Sequence, residues 1–217
     1  MHIGAYLLVL AAGYLLGSIP TGFLVARARG IDIRTVGSGN IGATNAFRIL
    51  GKGPGSFVLL VDALKGGVAC LGLPWVLLQL AAFASLLPAS EQEWLRIVAG
   101  VSAVLGHNYT CWLGFKGGKG IATSAGVLGG LVPTALLIVV VLFIVVVLLT
   151  RYVSLGSILA AAALPFATWG TQGSRLMIGV TSLMSLLAIY KHRANLRRLL
   201  NGTESRIGGG RSPGGAA

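Results

Sequence analysis

The sequence predicts an all-α fold: a polytopic membrane helix bundle of seven transmembrane helices, with the N-terminus outside and the C-terminus cytoplasmic. Three observations carry this expectation. Of 217 residues, 55% are hydrophobic and only 10% charged, where an ordinary soluble domain has about 25% charged residues. The mean hydropathy is +0.85. The basic residues also cluster mostly between the apolar runs. The 33 glycines fit the same class, because in lipid small residues let helices approach closely.

A helix crossing ~30 Å of hydrocarbon needs roughly 20 mostly apolar residues. Residues 3–26 are the first expected span, with a kink at Gly17-Ser-Ile-Pro20. Arginines follow it instead of a small-residue cleavage site and no basic region precedes it, so it reads as a retained span and not a removed signal peptide. Residues 55–83 are the second, long enough to tilt and containing Pro74, and 94–113 are the third. Residues 121–132 are short and Gly-rich, counted as the fourth because the topology requires one. Residues 134–149, nearly all Val, Leu and Ile, are the fifth, and 152–169 and 175–190 complete the set.

The connections set the orientation. Segment 27–52 carries Arg27, Arg29, Arg34, Arg48 and Lys52; 114–120 carries Lys116 and Lys119; Arg151 follows the fifth span; the tail carries Lys191, Arg193, Arg197, Arg198, Arg206 and Arg211. The opposite connections hold Glu91, Glu93 and Arg175. Positive-inside bias therefore places the tail in the cytoplasm and the N-terminus outside, which needs an odd number of spans. The same bias accounts for the net charge of +12, and no nucleic-acid partner is expected. Residues 1–205 read as one membrane-embedded domain and 206–217 as a disordered tail.

Cys70 and Cys111 lie in or beside apolar runs and read as buried small hydrophobes. With three histidines, no cysteine pair and no carboxylate cluster, neither a metal site nor a cofactor is expected. Asp62 and Lys65, three apart in the second span, either pair in the bundle interior or touch a ligand.

The polar connections share one face, and two of them are Gly-rich. Residues 37–48, Gly-Ser-Gly-Asn-Ile-Gly-Ala-Thr-Asn-Ala-Phe-Arg, offer backbone N–H groups, small donors and Arg48 to an anion. The letters Gly37-x-Gly39-x-x-Gly42 spell a dinucleotide fingerprint, but a membrane helix and a basic loop precede them where that motif needs a strand. Residues 114–120, Gly-Phe-Lys-Gly-Gly-Lys-Gly, resemble a nucleotide-binding loop, yet Leu113 replaces its first glycine and Gly120 its magnesium-binding Ser or Thr. What both loops keep is the physical capacity to bind phosphate: close backbone approach and nearby cations. In the third cluster, Lys191-His-Arg-Ala-Asn195, a snorkelling basic anchor explains Arg197 and Arg198 but not His192 and Asn195, which share a face at helical spacing. His107 has two readings, a helix-packing hydrogen bond or a site residue.

These residues, 37–45, then Gly106-His-Asn108 with Lys116-Gly-Gly-Lys-Gly-Ile-Ala-Thr123, then Lys191-His-Arg-x-Asn195 with Arg198, Leu199, Gly202 and Glu204, resemble three signatures of the bacterial membrane acyl-phosphate:glycerol-3-phosphate acyltransferases. The resemblance runs from Gly17 to about Glu204. It implies transfer of a fatty acyl group from acyl phosphate to the 1-hydroxyl of glycerol 3-phosphate, giving lysophosphatidate and inorganic phosphate at the cytoplasmic face of the bacterial inner membrane. Expected partners are these two substrates and membrane lipid, and a monomer is compatible with the sequence. The resemblance implies catalytic roles for Ser38, Arg48, Lys119, His192 and Asn195. It implies substrate binding by Gly37, Gly39, Asn40, Thr44, Asn45, His107, Asn108, Lys116, Gly117, Gly118, Gly120, Thr123 and Arg193. The motifs contain no obvious carboxylate base, which favours a route in which a substrate phosphate accepts the hydroxyl proton. A transporter for a small organophosphate is the alternative. It would place ionisable residues near the bilayer midplane and divide into inverted halves, and neither is evident. A purely structural membrane protein leaves Ser38, Asn40, Asn45 and Asn195 unexplained.

Overall fold

The computed structural model of the chain describes residues 3–79, 89–172 and 174–208. Among them every regular element is a helix. The first expected span breaks where Pro20 cannot continue the hydrogen-bond ladder, giving α1 (Ile3–Ser18) and α2 (Thr21–Arg27). Within the basic connection lies α3 (Ala43–Leu50), which the sequence reading took as loop. Gly51, at φ +90°, turns directly from α3 into α4 (Lys52–Gly67). A π-helical turn (Val68–Gly72) joins α4 to α5 (Leu73–Gln79), and the Leu73 N–H bonds Val68 O, five residues back. The shift in register comes just before Pro74, which has no N–H to donate. Residues 80–83 of the expected second span lie outside the described residues, as do Met1, His2 and 209–217 of the expected tail.

Helix α6 (Ala89–Asn108) starts earlier and ends earlier than the third expected span. It is followed by a 3-10 turn (Cys111–Leu113) and a loop that folds back on its end. Then come α7 (Ile121–Leu131), α8 (Pro133–Thr150), α9 (Val153–Gln172), α10 (Arg175–Lys191) and α11 (Arg193–Leu200). Pro133 at the first position of α8 suits a fixed φ and a missing donor. By length and composition four helical segments can cross a membrane: Ile3–Arg27, Lys52–Gln79, Pro133–Thr150 and Val153–Thr171. On α8 the outward Leu148 and Leu149 are 75% and 80% exposed, a surface that requires an apolar solvent.

The short helix α7 is central. Its Val127, Leu128 and Leu131 join Cys70, Ile97, Val104, Val139, Leu164 and Met184 in one core drawn from the helices around it. Contact is close because the crossing residues are small: a Cβ on Gly126 would sit 1.9 Å from Ala63 O, and one on Gly66 2.1 Å from Thr123 O. The two helices therefore touch backbone to backbone. A second cluster joins α1, α5 and α6. A third packs Ala26, Ile33, Ile41, Ala46, Leu50 and Val58 together and seats α3 on α4.

Asp62 and Lys65 are buried and pair at 2.9 Å, which decides between the two readings the sequence left open. The tail segment described, through 208, is anchored: Ile207 N–H donates to Arg151 O (2.8 Å) and Arg206 Nε to the Tyr152 hydroxyl (2.9 Å).

Gly126→Ala is expected to lose about 1–3 kcal/mol, because backbone and not a flexible side chain blocks the new methyl. Gly179→Ala, with nothing within 4 Å of its Cβ, is expected to be neutral or stabilising. Thermal unfolding of both in detergent checks the contrast.

Candidate functional site

The first wall is the loop before α3 and α3 itself. Gly37 and Gly39 have φ of +62° and +68°, where a side chain is strained. Asn45 is 1% exposed and its side-chain bonds go to this loop: Oδ1 accepts from Ser38 N–H (3.0 Å), and Nδ2 donates to Ile33 O (3.3 Å) and Val36 O (3.1 Å). It holds the wall together from within. Asn40 Oδ1 accepts from Gly42 N–H at 2.9 Å and fixes the turn into α3. These two asparagines thus shape the loop, while Ser38, Thr44 and Arg48 are exposed. Thr44 and Arg48, four apart on α3, share a face. Arg34 pairs with Asp32 at 2.7 Å and Arg29 donates to Leu50 O at 3.1 Å, so both stabilise the segment itself.

The second wall is the loop between α6 and α7. Gly117 N–H donates to Asn108 O (3.2 Å) and Gly118 N–H to His107 O (3.0 Å). A Cβ on Gly117 would lie 2.0 Å from His107 O, one on Gly118 2.2 Å from His107 Nε2, and one on Gly120, at φ +77°, 2.6 Å from Asn108 Oδ1. The glycines are there because the loop lies directly on the end of α6. His107, Asn108 and Thr123 are buried behind it, and Lys116 is exposed. Lys119 points the other way, into the site.

The third wall is the junction of α10 and α11. His192 sits between the helices, 3% exposed, with Nδ1 2.8 Å from Ala188 O. A carbonyl only accepts, so Nδ1 carries the proton and Nε2 is left as an acceptor. Lys191 Nζ donates to Asn108 O at 2.9 Å and lies 4.4 Å from the Tyr109 ring centre, tying α10 to α6. Arg193 turns outward, donating to Tyr190 O at 3.2 Å and stacking on the Tyr190 ring, and does not join the others.

The second and third walls meet in one network. Lys119 Nζ donates to Asn195 Oδ1 (2.5 Å), and Asn195 Nδ2 to Glu204 Oε1 (2.8 Å). Glu204 Oε1 also accepts from Ser154 Oγ (2.9 Å), and Oε2 from Arg198 Nε (2.7 Å). Sequence reasoning gave no role to Ser154 or Glu204 and read Arg198 as an anchor. The site therefore does contain a carboxylate. Glu204 reaches Asn195 because the chain turns at Gly202, with φ +69°, and that glycine, two residues before Glu204, was the one available signal. Burial pushes the Glu204 carboxyl up, but hydrogen bonds from Asn195, Arg198 and Ser154 outweigh it and hold it below its ordinary value. An acid so occupied is a poor proton acceptor.

Two further groups are shifted. Burial lowers Lys119 to about 8; the Glu204 charge opposes this, and Arg198, Arg48 and Lys191 reinforce it. The charge of Arg48 on the first wall thus reaches Lys119 on the second. His192 is lowered to about 4, by burial first and by Lys119 second. At neutral pH the site presents a neutral imidazole acceptor beside crowded, partly desolvated cations, a setting that favours a bound dianion.

A family model described as glycerol-3-phosphate acyltransferase matches residues 7–202. The glycerol-3-phosphate acyltransferase of Geobacter sulfurreducens is 48% identical over 201 residues, covering 93% of this chain and 97% of that relative. The one from Chlorobaculum parvum is 42% identical over 231 residues, covering 95% and 98%. The fold is similar to that of PlsY (YgiH), an integral membrane glycerol 3-phosphate acyltransferase solved in its glycerol 3-phosphate form, with a TM-score of 0.80 at 36% identity over 93% of this chain and 94% of that one.

The Lys119 value fixes a pH dependence. Its cation is present below about 8 and lost above, while a phosphate monoester becomes a dianion above about 6. Affinity for such a monoester is expected to peak between these limits and to fall about tenfold per pH unit on the alkaline side. Titration calorimetry at several pH values checks this, and Lys119→Arg is expected to remove the alkaline limb because guanidinium stays charged.

Proposed function

Because the chain belongs to the glycerol-3-phosphate acyltransferase family, we propose that its acyl donor is an acyl phosphate and that its products are lysophosphatidate, acylated at the 1-position, and inorganic phosphate. The observation that carries this is the partly buried Lys119–Asn195–Glu204 chain beside neutral His192, with Arg48 close enough to be felt by Lys119. Both substrates are phosphates, and the partly desolvated Lys119 cation with the Arg48 charge within its reach suits them. The fatty chain of the donor needs an apolar medium, which the exposed apolar faces of the helices supply.

In the proposed reaction the 1-hydroxyl oxygen of glycerol 3-phosphate attacks the acyl carbonyl carbon. The bond from that carbon to the phosphate oxygen breaks, and phosphate leaves with the electron pair. The hydroxyl proton passes to a phosphate oxygen. Glu204 has three donors already and His192 is a weak base at about 4, so neither suits the role of base. His192 Nε2 accepts a hydrogen bond and aims the hydroxyl. Lys119 and Arg48 hold phosphate charge, and Asn195 aims Lys119.

The proposal includes seven membrane spans, the N-terminus outside and the site at the cytoplasmic face of a bacterial inner membrane. The basic residues gathered in the connections that build the three walls support that orientation.

Purified protein in detergent is expected to release one phosphate per lysophosphatidate from acyl phosphate and glycerol 3-phosphate, and to form no lysophosphatidate with acyl-CoA as donor. Equal turnover with acyl-CoA would sink the donor assignment, and no phosphate release would favour transport. His192→Gln separates the mechanisms. Proton transfer to substrate phosphate predicts a loss of kcat below about 10², whereas a loss near 10⁴ with binding intact would make His192 the general base.

A further inference from the structure

We propose that the buried Asp62–Lys65 pair, acting through the ring of His107, sets the height of the Gly117 and Gly118 backbone and thereby positions Lys119. This rests on the reading that Lys119 holds substrate phosphate. Asp62, Lys65 and His107 are 1%, 5% and 5% exposed. Two charges inside an apolar helix are costly even when paired, and they mark a place where something must be held. The contacts leaving the pair show what that is. Lys65 Nζ donates to Ile19 O at 2.9 Å, a carbonyl at the break between α1 and α2. Asp62 Oδ1 lies 3.7 Å from His107 Nδ1.

The opposite nitrogen of that ring, Nε2, is 2.2 Å from where a Gly118 Cβ would be. The imidazole is therefore wedged between the Asp62 carboxylate and the loop backbone, with no room for a side chain. His107 O accepts the Gly118 N–H at 3.0 Å, so the same residue fixes the loop from below by its ring and in register by its carbonyl. Gly66, beside Lys65, abuts the Thr123 carbonyl at the start of α7. One end of the loop thus abuts the helix that carries the pair directly, and the other reaches it through the His107 ring. Lys119 follows Gly118 directly, and its ammonium must meet Asn195 Oδ1, a contact sensitive to displacements of about 1 Å. His107 is a positioning residue, and Asp62 and Lys65 are positioning residues one step further back.

The test is Asp62→Asn/Lys65→Met. Removing a whole buried pair is often neutral for stability, whereas Asp62→Asn alone strands a buried cation. Lys119 is followed by NMR of 13C-methylated lysines and assigned with Lys119→Arg. Its titration is expected to rise from about 8 toward the ordinary ~10.4. The KM for the substrate phosphate it holds is expected to rise about tenfold with kcat less affected. The charged and titratable groups around Lys119 are Glu204, Arg198, Arg48, Lys191, His192 and its loop neighbour Lys116, and the variant removes none of them. A folded double variant whose Lys119 still titrates near 8 overturns the proposal, whatever its activity. If the double variant does not fold, His107→Gln decides: it keeps a polar side chain but loses the ring under Gly118, and the same shift is expected. An unshifted Lys119 in folded His107→Gln overturns the proposal equally. Failure of the functional reading shows separately, as absence of wild-type turnover.

Discussion

The hydrogen bond from Lys119 to Asn195 joins parts of the chain 76 residues apart, and the other features of the site arrange themselves around it. For Lys119 to reach Asn195 its loop must lie flat on the end of α6, which requires glycines at 117, 118 and 120. For Asn195 to accept from Lys119, its amide must be turned by a second partner, which is Glu204. For Glu204 to stay ionised while partly buried it needs Arg198 and Ser154. Each demand is met by a residue whose type follows from the previous one, so the network is a sequence of dependent constraints rather than a collection of polar residues. A partly satisfied network of this kind would be worse than none.

The membrane class was legible because it depends on composition and run length, which any local window reports. The break at Pro20 was legible for the same reason: a missing N–H acts on its own turn. The helix boundaries at α6 were not. Glu91, Glu93 and Arg96 lower the local hydropathy, although the backbone there is helical, and the early end at Asn108 follows from the loop folding back, a tertiary event. Helix α3 was hidden because Ala-Thr-Asn-Ala-Phe-Arg sits inside a Gly-rich motif, and its buried side, Asn45, Ala46 and Leu50, has meaning only against α4 and the preceding loop.

The candidate site divides in a similar way. Lys119, His192 and Asn195 were readable as unlike neighbours in otherwise apolar or basic surroundings, and the structure brings them together. Asn45 and His107 were readable as special, and a packing role was one of two readings for His107, but nothing in the letters decides between a residue that touches a ligand and one that shapes the surface beneath it. Glu204 was the hardest to see: it is one acid in a basic tail, and its role depends on a turn at Gly202 and on Ser154 from another helix. Arg198 shows the converse error. Basic residues flanking a membrane helix are so well explained by orientation that a specific ion pair goes unnoticed among them.

The anchoring of Ile207 and Arg206 on the turn at Arg151 and Tyr152 also has a bearing on how the molecule is made. Ribosomes deliver residues 37–48 and 116–123 long before 192–207, and membrane helices insert as they emerge. During that interval Lys119 is without its acceptor, Asn195. The late segment then arrives as a latch, closing on two surfaces already in place. Assembly of the site therefore waits for residues 192–204, and a nascent chain stalled before Asn195 lacks the acceptor of Lys119.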